Sequence, residues 1–126
     1  MIMLDIVPSA ELQVLKAQFF KALAHPIRIR LLETLVGGEA RVQDLQKALS
    51  VEQPIVSQQL ARLRASGIVV SRKEGTTTFY AVADPVLADL LQVAKRILNR
   101  HLVGVQSLLN ELAKEQRSRR RPRSRA

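Results

Sequence analysis

The chain contains no cysteine, and only 3% of its 126 residues are aromatic. The absence of cysteine excludes disulfides, thiolate metal sites and thiol-based redox sensing. No apolar run approaches the roughly 18 residues of a membrane span, and the N-terminus lacks the basic-then-apolar pattern of a signal peptide. We therefore expect a cytoplasmic protein without membrane partners, in which one small domain packs helices through Leu, Ile, Val and Ala.

Acidic residues are also scarce. The chain has 11 Asp and Glu and 20 Lys and Arg, which gives a net charge of +9. Six of the arginines lie in residues 117–126, so residues 1–116 carry a net charge of only +3. Such a balance favours a polyanionic partner, nucleic acid ahead of an anionic membrane. The sequence shows no carboxylate pair, no Ser-His-Asp set and no glycine-rich phosphate loop, so we expect neither an enzyme nor a cofactor.

Apolar residues at steps of three and four predict a series of helices before residue 67. After a short leader, residues 1–8, Ser9 can cap the first helix. Pro26 starts the second helix, with His25 as a helix-start residue, and Gly37 and Gly38 end it. The third helix is predicted around residues 42–49 and the fourth from residue 53 to Gly67.

The third and fourth helices are joined by a short turn at residues 50–53, which is the helix-turn-helix arrangement. Ile55, Val56, Leu60 and Leu63 are predicted to face the core, and the opposite face of the fourth helix is polar. Glutamine and serine can hydrogen-bond base edges, and arginine can bind phosphates. The polar face of this helix is therefore predicted to contact the bases and phosphates of DNA.

After Gly67 the apolar period changes from 3.6 to 2, which predicts a β-hairpin with its turn at Glu74 and Gly75. Arg72 and Lys73 stand beside the tip, as in a wing that reaches phosphates. We predict that bases are read by Gln53, Ser57, Gln58 and Gln59 and phosphates by Arg62, Arg72, Lys73 and Ser50. The predicted DNA-binding set is Ser50, Gln53, Pro54, Ser57, Gln58, Gln59, Arg62, Arg72 and Lys73.

Asp84 and Pro85 are predicted to open the longest helix, which runs to about Glu115 with apolar residues at alternating steps of four and three. Such a seam needs more neighbours than one small domain supplies, so we predict a homodimer. His101 lies on the seam and could fix its register, or it could meet its mate across the dimer axis and act as a pH switch or bind a metal. The predicted dimer interface comprises Leu12, Leu15, Phe19, Leu87, Leu91, Leu98, His101, Val105 and Leu108.

The pattern resembles the ArsR/SmtB family of winged-helix bacterial repressors over about residues 11–110. The matching segments are residues 20–32, 56–64, 66–69 and 73–80, with Ala-His-Pro-Ile-Arg at 24–28 and Ser-Gln-Gln-Leu at 57–60 carrying most weight. The resemblance implies a mainly α fold with a β-hairpin wing, in the order α-α-α-α-β-β-α. It also implies dimerisation through the first and last helices and binding to an imperfect inverted repeat in a promoter.

The chain departs from that family at the positions where the resemblance would place metal ligands and base-reading histidines. Arg41 and Gln43 occupy the thiolate positions of the third helix. Of the second site, which would fall near Asp84, Val86, Ile97 and Arg100, only the aspartate is a suitable ligand. Gln58 and Gln59 replace two histidines that are common in the family, so base preference can differ. We therefore predict no metal site.

Two alternatives remain open from the sequence. One is a sequence-neutral architectural DNA binder that depends on a disordered tail, residues 117–126. The other is a protein-interaction module built on a degenerate winged helix. The effector also stays open, with a small apolar molecule between the first and last helices, a partner protein, or none as the options.

Overall fold

A computed structural model describes residues 9–120 of the chain. Within this range the helices are α1 (Ser9–Leu23), α2 (Pro26–Leu35), α3 (Val42–Leu49), α4 (Gln53–Ala65) and α5 (Leu87–Arg120). The strands are β1 (Ala40–Arg41), β2 (Val69–Glu74) and β3 (Thr77–Val82). This order confirms the predicted winged helix-turn-helix. It adds β1, which is too short to show alternation in the sequence.

The helix ends follow local chemistry. His25 caps α2, because its Nδ1 accepts a hydrogen bond from the Ile27 N–H at 3.0 Å, and Pro26 occupies the first turn. Ser50 ends α3 with a left-handed backbone at φ 53°, and Gly67 follows α4 at φ 74°. The Ile68 N–H then returns to the Leu63 carbonyl at 3.0 Å, which closes the end of α4. The turn between α3 and α4 is thereby only three residues long, Ser50 to Glu52.

The core lies where α2, α3 and α4 pack against one another and against the sheet. A charged side chain reinforces it: the Arg30 guanidinium donates 2.7 Å to the Leu49 carbonyl and so ties α2 to the end of α3. The fully buried side chains are leucines and valines of these elements: Leu31, Leu32, Leu35, Leu45, Val56, Leu60, Leu63 and Val69. Burying each such side chain contributes roughly 1.5–3 kcal/mol, so the core fixes α4 firmly.

The sheet has the order β1-β3-β2, with antiparallel pairs throughout. Glu74 pairs with Thr77, so the hairpin loop is Gly75 and Thr76, one residue later than predicted. Gly75 has φ 62°, the positive value that the first central residue of a tight hairpin turn requires. The hairpin therefore ends in a two-residue tip.

The chain divides into two compact units, one up to Ala88 and one from Asp89. The second unit is the greater part of α5, a helix of 34 residues or about 50 Å. Asp84 precedes it and accepts a hydrogen bond from the Val86 N–H at 2.9 Å, as its predicted role at the helix start requires. Among residues 9–120, the helices include none with the length and apolarity of a membrane span.

One boundary prediction changes. The tail was predicted to be disordered from residue 117, but α5 continues to Arg120, because its Ser, Arg and Gln residues add turns to a helix that is already nucleated. The predicted leader, residues 1–8, and the rest of the predicted tail, residues 121–126, lie outside the described residues.

Candidate nucleic-acid interface

The outer face of α4 is polar and open to solvent. Gln53, Pro54, Gln58 and Arg62 are exposed, and Ser57 is half-buried. Gln53 donates from Nε2 to the Ser57 Oγ at 3.1 Å, so these two side chains are held together one turn apart. Opposite them, Val56, Leu60 and Leu63 are fully buried, as predicted. The polar face therefore stands on a helix whose position is fixed by the core.

Gln59 does not belong to that face. Only 7% of it is exposed, and its Oε1 accepts a hydrogen bond at 3.0 Å from the Arg28 guanidinium of α2. The prediction that Gln59 reads bases is wrong, because its side chain is directed into the protein and its acceptor is already used.

Ile55 was predicted to face the core, yet it is 42% exposed. It lies in the first turn of α4, three residues before Gln58 and seven before Arg62, so it flanks the outer face. An exposed apolar side chain beside glutamines can contact the methyl group of thymine. Sequence periodicity alone assigned Ile55 to the wrong side of the helix.

A shallow depression of about 450 Å³ adjoins the start of α4. Ser50 lies in it with Gln43, Gln46 and Lys47 of α3. These α3 residues are not among those predicted to bind DNA, although their spacing of three and four places polar groups on one side of the helix. They extend the polar surface of α4 across the turn.

The two basic residues of the wing lie on opposite faces of the hairpin. Arg72 pairs with Phe79, and the Arg72 Cζ stands 4.5 Å from the centre of that ring. Its guanidinium also binds Glu39, with Nε 2.9 Å from Oε2, and Glu74, with Nη1 3.0 Å from Oε2. The prediction of Arg72 as a phosphate ligand therefore needs correction, because two carboxylates already neutralise it.

Lys73 is exposed, and its side chain makes no hydrogen bond or ion pair with another residue between 9 and 120. It lies beside Thr78 on the face of the hairpin that carries Val69 at its base. Its charge is thus available to a ligand at the wing tip, whereas that of Arg72 is not.

Ion pairing shifts the acidity of two exposed carboxyl groups. The hydrogen bond from Arg72 lowers the pKa of Glu39, and that from Arg41 lowers the pKa of Asp44. Asp44 also accepts the backbone N–H of Arg41 at 3.2 Å, which fixes the start of α3. These groups stabilise β1 and the wing rather than forming a reactive site. Between residues 9 and 120, no three His, Asp or Glu side chains are grouped closely enough to hold a metal ion.

Of the predicted dimer residues, Leu15 and Phe19 of α1 and Leu98, His101, Val105 and Leu108 of α5 are exposed. Leu12 and Leu91 are half-buried. Leu87 is only 7% exposed within the single chain, so its prediction as a dimer contact is wrong. It completes the core of its own unit instead.

Comparison with known proteins agrees with this geometry. A family model described as "Bacterial regulatory protein, arsR family" matches residues 25–71, which include α2, α3 and α4. The HTH-type transcriptional regulator Rv0081 of Mycobacterium tuberculosis is 43% identical over 105 residues, which are 82% of this chain and 92% of that protein. The chain belongs to the arsR family. It is accordingly a DNA-binding transcriptional regulator, which confirms the prediction from the sequence.

Other relatives support the same assignment. The biofilm growth-associated repressor of Agrobacterium fabrum is 43% identical over 76 residues, 60% of this chain and 65% of that protein. The crystal structure of M. tuberculosis Rv0081 superposes with a TM-score of 0.67 at 45% identity, covering 74% of this chain and 94% of that one. A solution structure from Mycobacterium bovis, described as a homodimeric winged helix-turn-helix DNA-binding domain, has a TM-score of 0.66 at 31% identity, covering 74% and 86%.

Proposed function

We propose that this regulator is a homodimeric repressor that reads an inverted repeat in a promoter through α4. The observation that carries the proposal is the polar face of α4, which stands exposed on a helix whose opposite face is fully buried. An operator on a bacterial chromosome would place the protein in the cytoplasm. Bound there, it would block transcription by occupancy.

Base reading is assigned to Gln58, Gln53 and Ser57. Gln58 is exposed and can pair bidentately with adenine in the major groove. Gln53 and Ser57 are bonded to each other, which orients both and leaves the second N–H of Gln53 free to donate. Ile55 beside them supplies an apolar contact for a thymine methyl group.

Phosphate binding is assigned to Arg62 and Lys73, with Lys47 and Ser50 at the depression beside α3. In a helix-turn-helix the first helix crosses the DNA backbone while the second enters the groove. Lys47 is exposed on the first of these helices, and it lines the depression together with residues of the turn that follows. Arg72 is left out of this set, because Glu39 and Glu74 bind it.

The dimer is proposed to form through α1 and α5. In α5, Leu98, Val105, Leu108 and Leu112 follow one another at heptad steps and are 39–58% exposed. Leucines so exposed in a row are unusual on a free surface and typical of an interface. The homodimeric M. bovis domain, at a TM-score of 0.66, supports a second copy as the partner.

The test is selection of duplexes by the full chain from a randomised library of about 30 base pairs, enough for two half-sites one helical turn apart. We expect an inverted repeat, bound about a thousandfold more tightly than a scrambled duplex at physiological salt. Recovery of no consensus, with equal and salt-sensitive binding to all duplexes, would instead identify a sequence-neutral binder.

A deletion separates these two outcomes further. Removing residues 117–126 takes away six arginines. A sequence-specific repressor should keep its preference for the selected duplex after this deletion, although its affinity for all DNA will fall. A sequence-neutral binder should lose most of its affinity. A protein-interaction module would bind neither duplex before or after the deletion.

A further inference from the structure

We infer that Arg28 is a positioning residue for DNA recognition, holding α4 through Gln59 at the angle that Gln58 needs to reach a base. The inference rests on the proposed function of α4. It concerns two residues that touch no DNA in that proposal, one on α2 and one on the inner side of α4.

The Arg28–Gln59 contact joins α2 to α4, and these two helices must keep their relative orientation. The Arg28 Nη1 donates to the Gln59 Oε1 at 3.0 Å, and its Nη2 lies 3.5 Å from the Lys21 carbonyl near the end of α1. One guanidinium thus reaches the last turn of α1 and the middle of α4. Since the guanidinium is planar and rigid, it fixes the direction of both groups better than a lysine would.

Burial makes the contact directional. Gln59 is only 7% exposed, so its amide oxygen has little access to water and loses a hydrogen bond if α4 rotates. The Arg28 Nε is itself buried without a hydrogen-bond partner among the described residues. The Arg28–Gln59 bond therefore satisfies the buried polar group on the inner side of α4. The neighbouring Val56, Leu60 and Leu63 are apolar, so they carry no polar group that would fix the rotation of the helix.

Its effect on DNA reading follows from helix geometry. Gln58 and Gln59 are consecutive, so a rotation of α4 that breaks the Arg28–Gln59 bond turns Gln58 by the same angle. Base readout requires correct placement, whereas phosphate contacts are made by long flexible side chains that tolerate small rotations. Loss of the bond should therefore reduce selectivity more than affinity for arbitrary DNA.

The test is a double-mutant cycle with Arg28→Met, Gln59→Leu and the double variant. Each full chain is measured by titration against the duplex selected by the wild type and against its scrambled counterpart. Arg96→Met is the matched control, because Arg96 is an exposed α5 arginine and its replacement removes the same charge.

We expect each single variant to lose about tenfold in preference per half-site, or about a hundredfold for a dimer on the selected duplex, because a hydrogen bond near 1.4 kcal/mol is lost in each chain. The double variant should lose no more than either single variant, because both break the same bond. Arg96→Met should weaken both duplexes equally. Unchanged preference in the single variants, with thermal stability alone reduced, would overturn the inference.

Two further outcomes are also decisive. A loss in Gln59→Leu without one in Arg28→Met would show that Gln59 contacts DNA itself, against the inference. Losses that multiply in the double variant would show two independent roles, also against it. If the wild-type chain selects no sequence, the proposed function fails first; if it selects one and only this cycle fails, α4 still reads DNA and only the role of Arg28 is disproved.

Discussion

The unit up to Ala88 and the long helix α5 use the same apolar residues in opposite ways. Leu31, Leu45 and Leu60 in the first are fully buried, whereas Leu102, Leu108 and Leu109 in α5 are 53–61% exposed. In both regions apolar residues recur at helical steps of three and four, as at Val56, Leu60 and Leu63 in α4 and at Val105, Leu108 and Leu112 in α5. The difference shows that apolar periodicity identifies a face that will be covered, but not whether the chain itself or a partner covers it.

The same distinction separates the charged residues of the wing. Arg72 is satisfied within the chain by Glu39, Glu74 and the ring of Phe79. Lys73, its neighbour, is exposed. In both regions, the groups that the chain leaves unsatisfied are those we assign to a partner: leucines to a second copy and lysine to DNA.

The largest expected effect concerns the apolar residues that the chain itself buries. Leu60→Ala should lower the free energy of unfolding by roughly 2–5 kcal/mol, because a fully buried leucine leaves a cavity. Val103→Ala, at a position 66% exposed on α5, is the control and should change it by less than about 0.5 kcal/mol. Urea denaturation measures both. Equal effects would remove the contrast between the two regions.

Leu108→Glu tests the exposed apolar residues of α5, which we assign to the dimer interface. Val103→Glu is the control, because it adds the same charge to the same helix. A dimer buries two copies of Leu108, so the substitution should raise the dimer dissociation constant on the order of a hundredfold. Val103 lies off the seam and its variant should leave that constant nearly unchanged. Sedimentation equilibrium gives both values. Two variants that dimerise like the wild type would exclude this part of α5 from the interface.

For the wing, Lys73→Ala should weaken binding to all duplexes and reduce the dependence of log affinity on log salt by about 1 per chain, or about 2 for a dimer. Arg72→Ala removes an equal charge and should reduce that slope less, because Arg72 is bound to two carboxylates. The slopes come from titrations between low and physiological salt. A larger change for Arg72 than for Lys73 would reverse our assignment.

The smallest effect concerns pH. Because Arg72 lowers the pKa of Glu39 in the folded protein, the pair stabilises the fold above the ordinary carboxyl pKa of 4.5, and this contribution is lost as pH falls through the lowered value. Glu39→Gln should therefore reduce Tm slightly at pH 7, and the difference should shrink as the pH falls through the lowered pKa of the wild-type carboxyl. Glu33→Gln, at an exposed α2 position, is the control. A Tm difference that persists at acid pH would point to a role other than ion pairing.

Much of this structure follows from the sequence, because helix ends and core positions depend on local patterns. Pro26, Gly67 and the burial of Val56, Leu60 and Leu63 in α4 follow from the residues themselves. Gln59 could also have been placed inward, since it lies three residues after Val56 and four before Leu63. Its amide suggested DNA contact, and that chemical argument was given more weight than its spacing.

Long-range contacts could not be predicted in this way. Glu39 reaches Arg72 across 33 residues, and Arg28 reaches Gln59 across 31. Neither pair leaves a local pattern, because charged and polar residues are common along the whole chain. The strand β1 also leaves no pattern in the sequence, because it is defined only by its pairing with β3. These contacts decide which polar residues remain available to DNA.

The most direct test of the central claim is to repeat the duplex selection with Gln58→Ala, using Gln92→Ala on exposed α5 as the matched control. We predict that Gln58→Ala relaxes the preference at one base pair in each half-site, symmetrically, at a cost of roughly 1–3 kcal/mol per contact. Gln92→Ala should recover the wild-type consensus. An unchanged consensus and affinity with Gln58→Ala would contradict the claim that the outer face of α4 reads the operator.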